Sequence, residues 1–369
     1  MTGGVERGTV ETAKALTRAG AMALVASSGG PMVRDVLAAG GVHITLPLES
    51  KNPFVMLLNV CRLVSLIGRH NVDLIHARSR APAWSAWLAA KITKKPFVTT
   101  FHNAYGAASA CKRFYNSVMA KGDRVIAISD FVASYATSVY GVDPRRLRVI
   151  PRGVDIESFD PEKVSSERIE TLRRSWALPQ GRPLLLMPGR LTRWKGQLVL
   201  LAALARMTNK DCLCAIVGGG KDSPYGRDVE RAIGDYGLAD RVFLFDTCAD
   251  MPAAYALADA VIVPSTRPEG FGRVIVEAQA MGKPVIATAH GGATENILAG
   301  ETGWLVPPVD ARALAKTIDS FLSDRPRLEK EIYLKAISYV RSKFTTDAMT
   351  SKTLRIYEEL LKRPFLHQA

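Results

Sequence analysis

The sequence has no CxxC spacing, no D-x-D pair and no apolar run long enough to cross a bilayer. Its five cysteines, Cys61, Cys111, Cys212, Cys214 and Cys248, are odd in number and sit in apolar stretches, which argues against a disulfide framework or a zinc site. They read as buried thiols of a reducing compartment. The longest apolar tract, Pro53 to Gly68, is interrupted by Asn59 and Arg62, and no basic segment followed by a cleavable apolar run opens the chain. The expectation is therefore a cytoplasmic protein. Acidic residues are scarce in the first half: residues 1–152 hold 20 Lys+Arg against 8 Asp+Glu, net +12, and 153–369 hold 29 against 27, net +2. Such an excess suits an anionic partner, such as lipid headgroups or a phosphorylated acceptor, or else a solvated basic face with no partner. Nucleic acid is not expected, since the cations are dispersed and no helix-turn-helix, RNP or zinc-finger pattern accompanies them.

What is present is alternation. With 369 residues and 47% apolar composition the chain is long enough for two cores. Short apolar runs alternate with segments of helical period, the pattern of parallel sheets with crossover helices. Candidate strands of the first half are 21–27, 42–46, 72–76, 97–102, 124–128 and 147–150. Those of the second are 184–188, 212–217, 242–245, 260–263, 284–287 and 304–306. Two doubly wound Rossmann-like α/β domains are expected, 1–165 and 166–342, with a linker near 153–180 marked by Pro161 and Pro179-Gln180-Gly181. After Asp310 the period is helical throughout, and the segment 343–369 is expected to cross back as a helix onto the first domain.

Chemistry concentrates in a few turns. Pro264-Ser265-Thr266-Arg267-Pro268-Glu269-Gly270-Phe271-Gly272 follows a strand, and Arg273 to Ala278 opens a helix that carries Glu277. Gly270 and Gly272 permit close approach of backbone to ligand, the helix N-terminus favours an anion, and the two carboxylates can accept hydroxyl hydrogen bonds on either side of a diphosphate. A strand ending at Met187 leads into Gly189, Arg190 and Lys195 before a helix near Gln197. Two fixed cations there would stabilise a leaving diphosphate more in the transition state than in the ground state, a task otherwise given to a metal. Gly218-Gly219-Gly220 forms another close-approach turn, and His102 ends a strand at the edge where open α/β sheets place ligands. His76, with Arg78 and Arg80 behind it, is a weaker acceptor-side candidate.

The Glu269-to-Glu277 spacing resembles the E-x7-E motif of glycosyltransferase family 4, retaining enzymes of the GT-B fold. Pro188 to Gly196 is similar to that family's G-R-x-x-x-x-K-G clamp, and Val149-Ile150-Pro151-Arg152-Gly153-Val154-Asp155 with Phe159 resembles its V-I-P-N-G-V-D…F segment, with Arg152 at the place of the usual Asn. The resemblance spans nearly the whole chain. It implies hexose transfer from a nucleoside diphosphate sugar to an acceptor hydroxyl with retention and without a metal cofactor. Arg190 and Lys195 would hold the diphosphate, Glu277 the ribose, Glu269 with the Phe271 and Gly272 backbone the sugar, and His102 would orient the sugar. Gly218 and Gly219 would face the nucleotide, and Gly3-Gly4-Val5-Glu6-Arg7-Gly8 looks like the family's first glycine-rich loop, which contacts donor phosphate and sugar. His290-Gly291-Gly292-Ala293-Thr294-Glu295 is similar to its G-G-x-x-E turn. Ile75 to Trp84 with Tyr115-Asn116 resembles bacterial enzymes of the lipopolysaccharide core, implying GDP-mannose or a similar donor, an anionic, lipid-linked glycan acceptor, and work at the cytoplasmic face of the inner membrane.

Two other readings stay open on the residues alone: a dinucleotide-dependent oxidoreductase, for which the G-x-G-x-x-G signature is lacking, and a non-catalytic basic protein that binds membranes or partners on the same scaffold. A wound domain should also begin with a strand before its first glycine loop, yet only Met1 and Thr2 precede Gly3. The expectation is that the first strand lies upstream of this start.

Overall fold

A computed structural model describes residues 4–365. Two compact units divide the described residues: 4–153 with 346–365, here the N-terminal unit, and 154–345, the C-terminal unit. The N-terminal unit begins α1 (Gly4–Arg18), β1 (Leu24–Ser27), α2 (Val33–Ala38), β2 (Val42–Thr45), α3 (Pro53–Arg69), β3 (Ile75–Ala77). It continues α4 (Arg80–Thr93), β4 (Phe97–Phe101), α5 (Ala110–Ser117), β5 (Arg124–Ala127), α6 (Asp130–Tyr140), β6 (Leu147–Val149). The C-terminal unit begins α7 (Ser166–Ser175), β7 (Leu184–Pro188), α8 (Gln197–Arg206), β8 (Leu213–Val217), α9 (Pro224–Asp235), β9 (Val242–Phe245), α10 (Met251–Leu257). It ends β10 (Ala260–Val263), α11 (Arg273–Ala280), β11 (Val285–Thr288), α12 (Ala293–Asn296), β12 (Gly303–Val306), α13 (Ala311–Ser323), α14 (Arg325–Lys343). A last helix, α15 (Thr346–Leu361), belongs to the N-terminal unit.

All pairings between these strands are parallel. The C-terminal sheet has the order β12-β11-β10-β7-β8-β9, so the winding reverses between β7 and β10. That reversal opens a crevice outside the carboxyl ends of those two strands, where ligands of doubly wound sheets bind. Helices cover both faces, which is why β7, β8, β10 and β11 are buried at every position and read as unbroken apolar runs. Leu185, Met187, Cys214, Ile216, Ile262 and Ile286 pack with side chains of α8, α9 and α13 in one core. The stretch 153–180, expected as a linker, is folded into this unit: it carries α7, and Trp176 stacks on Phe245 with ring centroids 4.4 Å apart.

The N-terminal strands form two sheets, β1-β2 and β3-β4-β5-β6. A winding order like that of the C-terminal unit would put a strand between β1 and β3, and among the described residues none is there. α15 supplies part of this core, burying Met349, Ile356 and Tyr357 against Val98, Ile126 and Ile150. Each such side chain contributes about 1.5–3 kcal/mol. Two expectations need correction here. Gly3 lies outside the described residues, but Gly4 to Gly8 is the first turn of α1 and not a loop. Within this helix Gly8 leaves room for Arg78, whose Nη2 would lie 2.8 Å from a Cβ at that position. Cys212 and Cys214 are buried as expected, whereas Cys61 and Cys111 are exposed, because α3 and α5 present apolar neighbours to solvent.

Candidate active site

The loops after β7 and β10 meet at the reversal point. Gly196, at φ +82°, lets them touch: a Cβ there would sit 1.9 Å from the Pro264 carbonyl oxygen. This contact brings Lys195 Nζ to Glu269 Oε1 at 2.8 Å, with both side chains largely buried. Ser265 Oγ donates to the same carboxylate oxygen. Lys195 also lies 4.3 Å from the Trp194 ring centroid, and the Gln197 side chain donates to the Arg190 carbonyl at 3.0 Å. Arg190 itself is exposed at the loop surface. An ammonium has three N–H donors, so pairing with Glu269 leaves two for the oxygens of an anion.

Glu269 is held by a third loop. The turn at His290 to Glu295 crosses beneath it, with Gly292 N donating to Glu269 O at 2.8 Å. A Cβ on Gly291 would lie 2.5 Å from Glu269 O, and one on Gly292 would lie 2.6 Å from Phe271 Cα. Phe271 is buried against Phe344, and Asn296 Nδ2 donates to its carbonyl. Gly272, at φ +84°, starts α11, which places Glu277 on the helix's inner side. Glu277 accepts from Arg273 Nε at 2.8 Å and from Tyr255 OH at 3.0 Å. Burial, together with the Glu277 carboxylate, pushes the Tyr255 phenol well above its ordinary range, so it stays a donor. Gly218 closes the site beside β7, since a Cβ would lie 2.1 Å from the Gly189 carbonyl oxygen, while Gly219 is open on its outer side. Lys195, Glu269, Glu277 and the glycines singled out in the sequence lie in or beside these loops, with Arg190 exposed beside them, while Ser265, Tyr255, Arg273 and Asn296, which bond to them or to their backbone, were not singled out. Gly291 and Gly292 gave the one usable signal.

In the N-terminal unit, His102 follows β4, Arg78 follows β3 and Arg152 lies just beyond β6, all at carboxyl ends of parallel strands. They line a narrow pocket with Thr12, Thr100 and Met349. Arg152 Nη2 lies 2.8 Å from His102 Nδ1. A guanidinium only donates, so Nδ1 is the acceptor and neutral His102 carries its proton on Nε2. That nitrogen is buried and has no hydrogen-bond partner among the described residues. Burial first, then the charges of Arg152, Arg78 and His76, hold His102 well below the usual imidazole range, with the Arg78 backbone partly opposing them. Arg152 also donates to the Gly4 carbonyl at the start of α1, and Arg78 Nη1 to Thr12 Oγ1 at 3.2 Å. His76 is not an acceptor-side group: Tyr357 OH at 2.6 Å and Thr100 Oγ1 at 2.7 Å take its two nitrogens.

Two family models match the chain: Glycosyltransferase Family 4 over residues 2–158 and Glycosyl transferases group 1 over 168–339. The D-inositol 3-phosphate glycosyltransferase of Xylanimonas cellulosilytica is 30% identical, covering 98% of this chain and 93% of its own. The GDP-mannose-dependent alpha-(1-6)-phosphatidylinositol monomannoside mannosyltransferase of Mycolicibacterium smegmatis is 32% identical over 72% of this chain and 71% of its own. The crystal structure of a glycosyltransferase from Rickettsia africae ESF-5 superposes with a TM-score of 0.91 at 40% identity, covering 98% of this chain and 96% of that one. These matches set aside the oxidoreductase and non-catalytic readings. Together with two parallel, Rossmann-like units they show that the chain is a glycosyltransferase of the GT-B fold and belongs to glycosyltransferase family 4.

Proposed function

We propose that this enzyme transfers a hexose, mannose from GDP-mannose being the first candidate, to a hydroxyl of an anionic, lipid-linked glycan in cell-envelope or lipopolysaccharide synthesis, with retention at the anomeric carbon. The observation that carries the reading is the Lys195–Glu269 pair across the β7/β10 reversal: a cation and a hydroxyl acceptor stand where a nucleoside diphosphate and its sugar would lie side by side. Lys195 and Arg190 hold the diphosphate and take up charge as the glycosidic bond breaks. Glu269, with the backbone of Gly270, Phe271 and Gly272, binds sugar hydroxyls; Glu277 binds the ribose; Gly218 and Gly219 let the nucleotide approach. His102, as an Nε2–H donor, is assigned to orienting the sugar, and Gly4 to binding the donor phosphate. The departing phosphate takes the acceptor's proton on the face it leaves, so no covalent nucleophile and no metal is needed. A GDP-mannose-dependent relative acting on a phosphatidylinositol mannoside supports both the donor and an anionic lipid acceptor. The five free cysteines fit a reducing cytoplasmic setting, with the reaction at the inner face of the membrane.

Nucleotide-dependent thermal stabilisation tests this reading. GDP or UDP should raise the melting temperature and NAD should not, since only a ligand bound by the native state shifts the transition. No response to any nucleoside diphosphate would contradict it.

A further inference from the structure

The basic excess of the N-terminal unit is concentrated in one stretch. Residues 50–121 hold 11 Lys+Arg against a single acid, Asp73, so +10 of the +12 carried by residues 1–152 lies there. The same stretch exposes large apolar side chains. α3 buries Val60 and Ile67 against Ala89 of α4, yet its opposite stripe is also apolar, with Phe54 84% exposed, Leu57 63% and Leu58 50%, followed by exposed Cys61. The spacing of these four residues puts them on one side of the helix. Ser85 Oγ of α4 donates to the Met56 carbonyl of α3 at 2.8 Å, fixing the two helices together. α4 adds exposed Leu88 and Ile92 one turn apart, with Lys91 between them. Phe114 of α5, 69% exposed, stacks on Trp84 of α4 at 5.1 Å, and Lys121 sits 4.8 Å from the Trp87 ring centroid.

A helix that faces only water carries polar residues on its outer stripe; an exposed apolar patch marks a binding surface. Cations around such a patch suit the boundary between acyl chains and anionic headgroups, where Phe and Leu insert and Lys and Arg meet phosphate. A second copy of this chain would bring +10 against +10. A protein partner is also disfavoured, because lysine is depleted at protein interfaces. We propose that the face formed by α3, α4 and α5 docks this enzyme on a bilayer containing anionic lipid. The proposal rests on the reading of a lipid-linked acceptor, which it supplies with a surface. Docking concentrates the enzyme where that acceptor lies.

Co-sedimentation with vesicles tests it without any donor or acceptor, so its outcome is separate from that of glycosyl transfer. Phosphatidylcholine vesicles with and without phosphatidylglycerol are compared, with wild type, Phe54→Ser/Leu58→Ser and Lys91→Glu/Lys112→Glu. All four positions are exposed and none belongs to the proposed site. Wild type is expected to partition at least tenfold more strongly onto the anionic vesicles and to be released by high salt, while each double variant loses at least tenfold with an unchanged melting temperature. Equal partition of wild type and both variants, equal binding to neutral vesicles, or no binding to either would overturn the proposal. So would wild-type self-association in solution that the Phe54→Ser/Leu58→Ser variant abolishes.

Discussion

Lys195 stands out among the individual side chains because its ammonium is fixed on one side by Glu269 and still offers donors to an anion. If it is the main cation on the leaving group, Lys195→Ala lowers kcat/KM by at least about 10²-fold, near 2.7 kcal/mol of transition-state stabilisation, with little change in melting temperature. Activity within twofold of wild type would remove that role. Arg152 acts at a different atom. It fixes the tautomer of His102 and adds to burial, the larger cause, in keeping the ring neutral. In Arg152→Asn the His102 pKa should rise, while burial still holds it below the ordinary imidazole range, so an acid limb of the activity profile should move to higher pH than in wild type. Rescue of the wild-type profile by Arg152→Lys would tie the effect to charge and donation rather than to folding. Identical pH profiles for wild type and Arg152→Asn would contradict the assignment.

At the scale of elements, the site is made by loops that approach more closely than a side chain allows. Gly196→Ala adds a Cβ against the Pro264 carbonyl and also strains a left-handed backbone, and Gly218→Ala drives a Cβ into the Gly189 carbonyl. Each is expected to cost about 1–3 kcal/mol in urea denaturation, whereas Gly219→Ala, which meets only Asp246 O at 4.0 Å, should be near neutral. The same physics explains what could be read in the chain. All twelve strands among the described residues were legible as short apolar runs bounded by glycine, proline or polar turns, most clearly β4, β7, β8, β10 and β11, which are buried at every position, and β7, β9 and β10 have the expected ends. Glu269, Glu277 and Lys195 could be proposed from the sequence because their spacing lies along one loop and one helix. The partners of those groups were not, since Tyr255 lies 22 residues from Glu277 and only the folded sheet brings them together. Gly8 misled for a local reason: a glycine-rich start suggests a loop unless one knows that Arg78 fills the space beside the helix. Cys61 misled because α3 is apolar on its outer stripe too.

For the whole molecule, buried neutral histidines couple stability to pH. His76 and His102 both titrate well below the ordinary imidazole range in the folded chain, chiefly through burial. The unfolded chain takes up their protons as pH falls through about 6.5 and the folded chain does not, so stability is present above that pH and declines below it, by up to about 1.4 kcal/mol per histidine between pH 7.5 and 5.5. Urea midpoints across this range should fall with acid, and His76→Gln should flatten the slope; a midpoint independent of pH would count against neutral burial. The proposed transfer of a hexose from a nucleoside diphosphate sugar by the C-terminal unit's paired cations and carboxylates is tested most directly by nucleotide release from a panel that includes GDP-mannose and UDP-glucose, run with wild type and Lys195→Ala. Wild type is expected to release GDP from GDP-mannose, and the variant at least a hundredfold less. Absence of release from every nucleotide-sugar in the panel, or equal release by the two proteins, would contradict it.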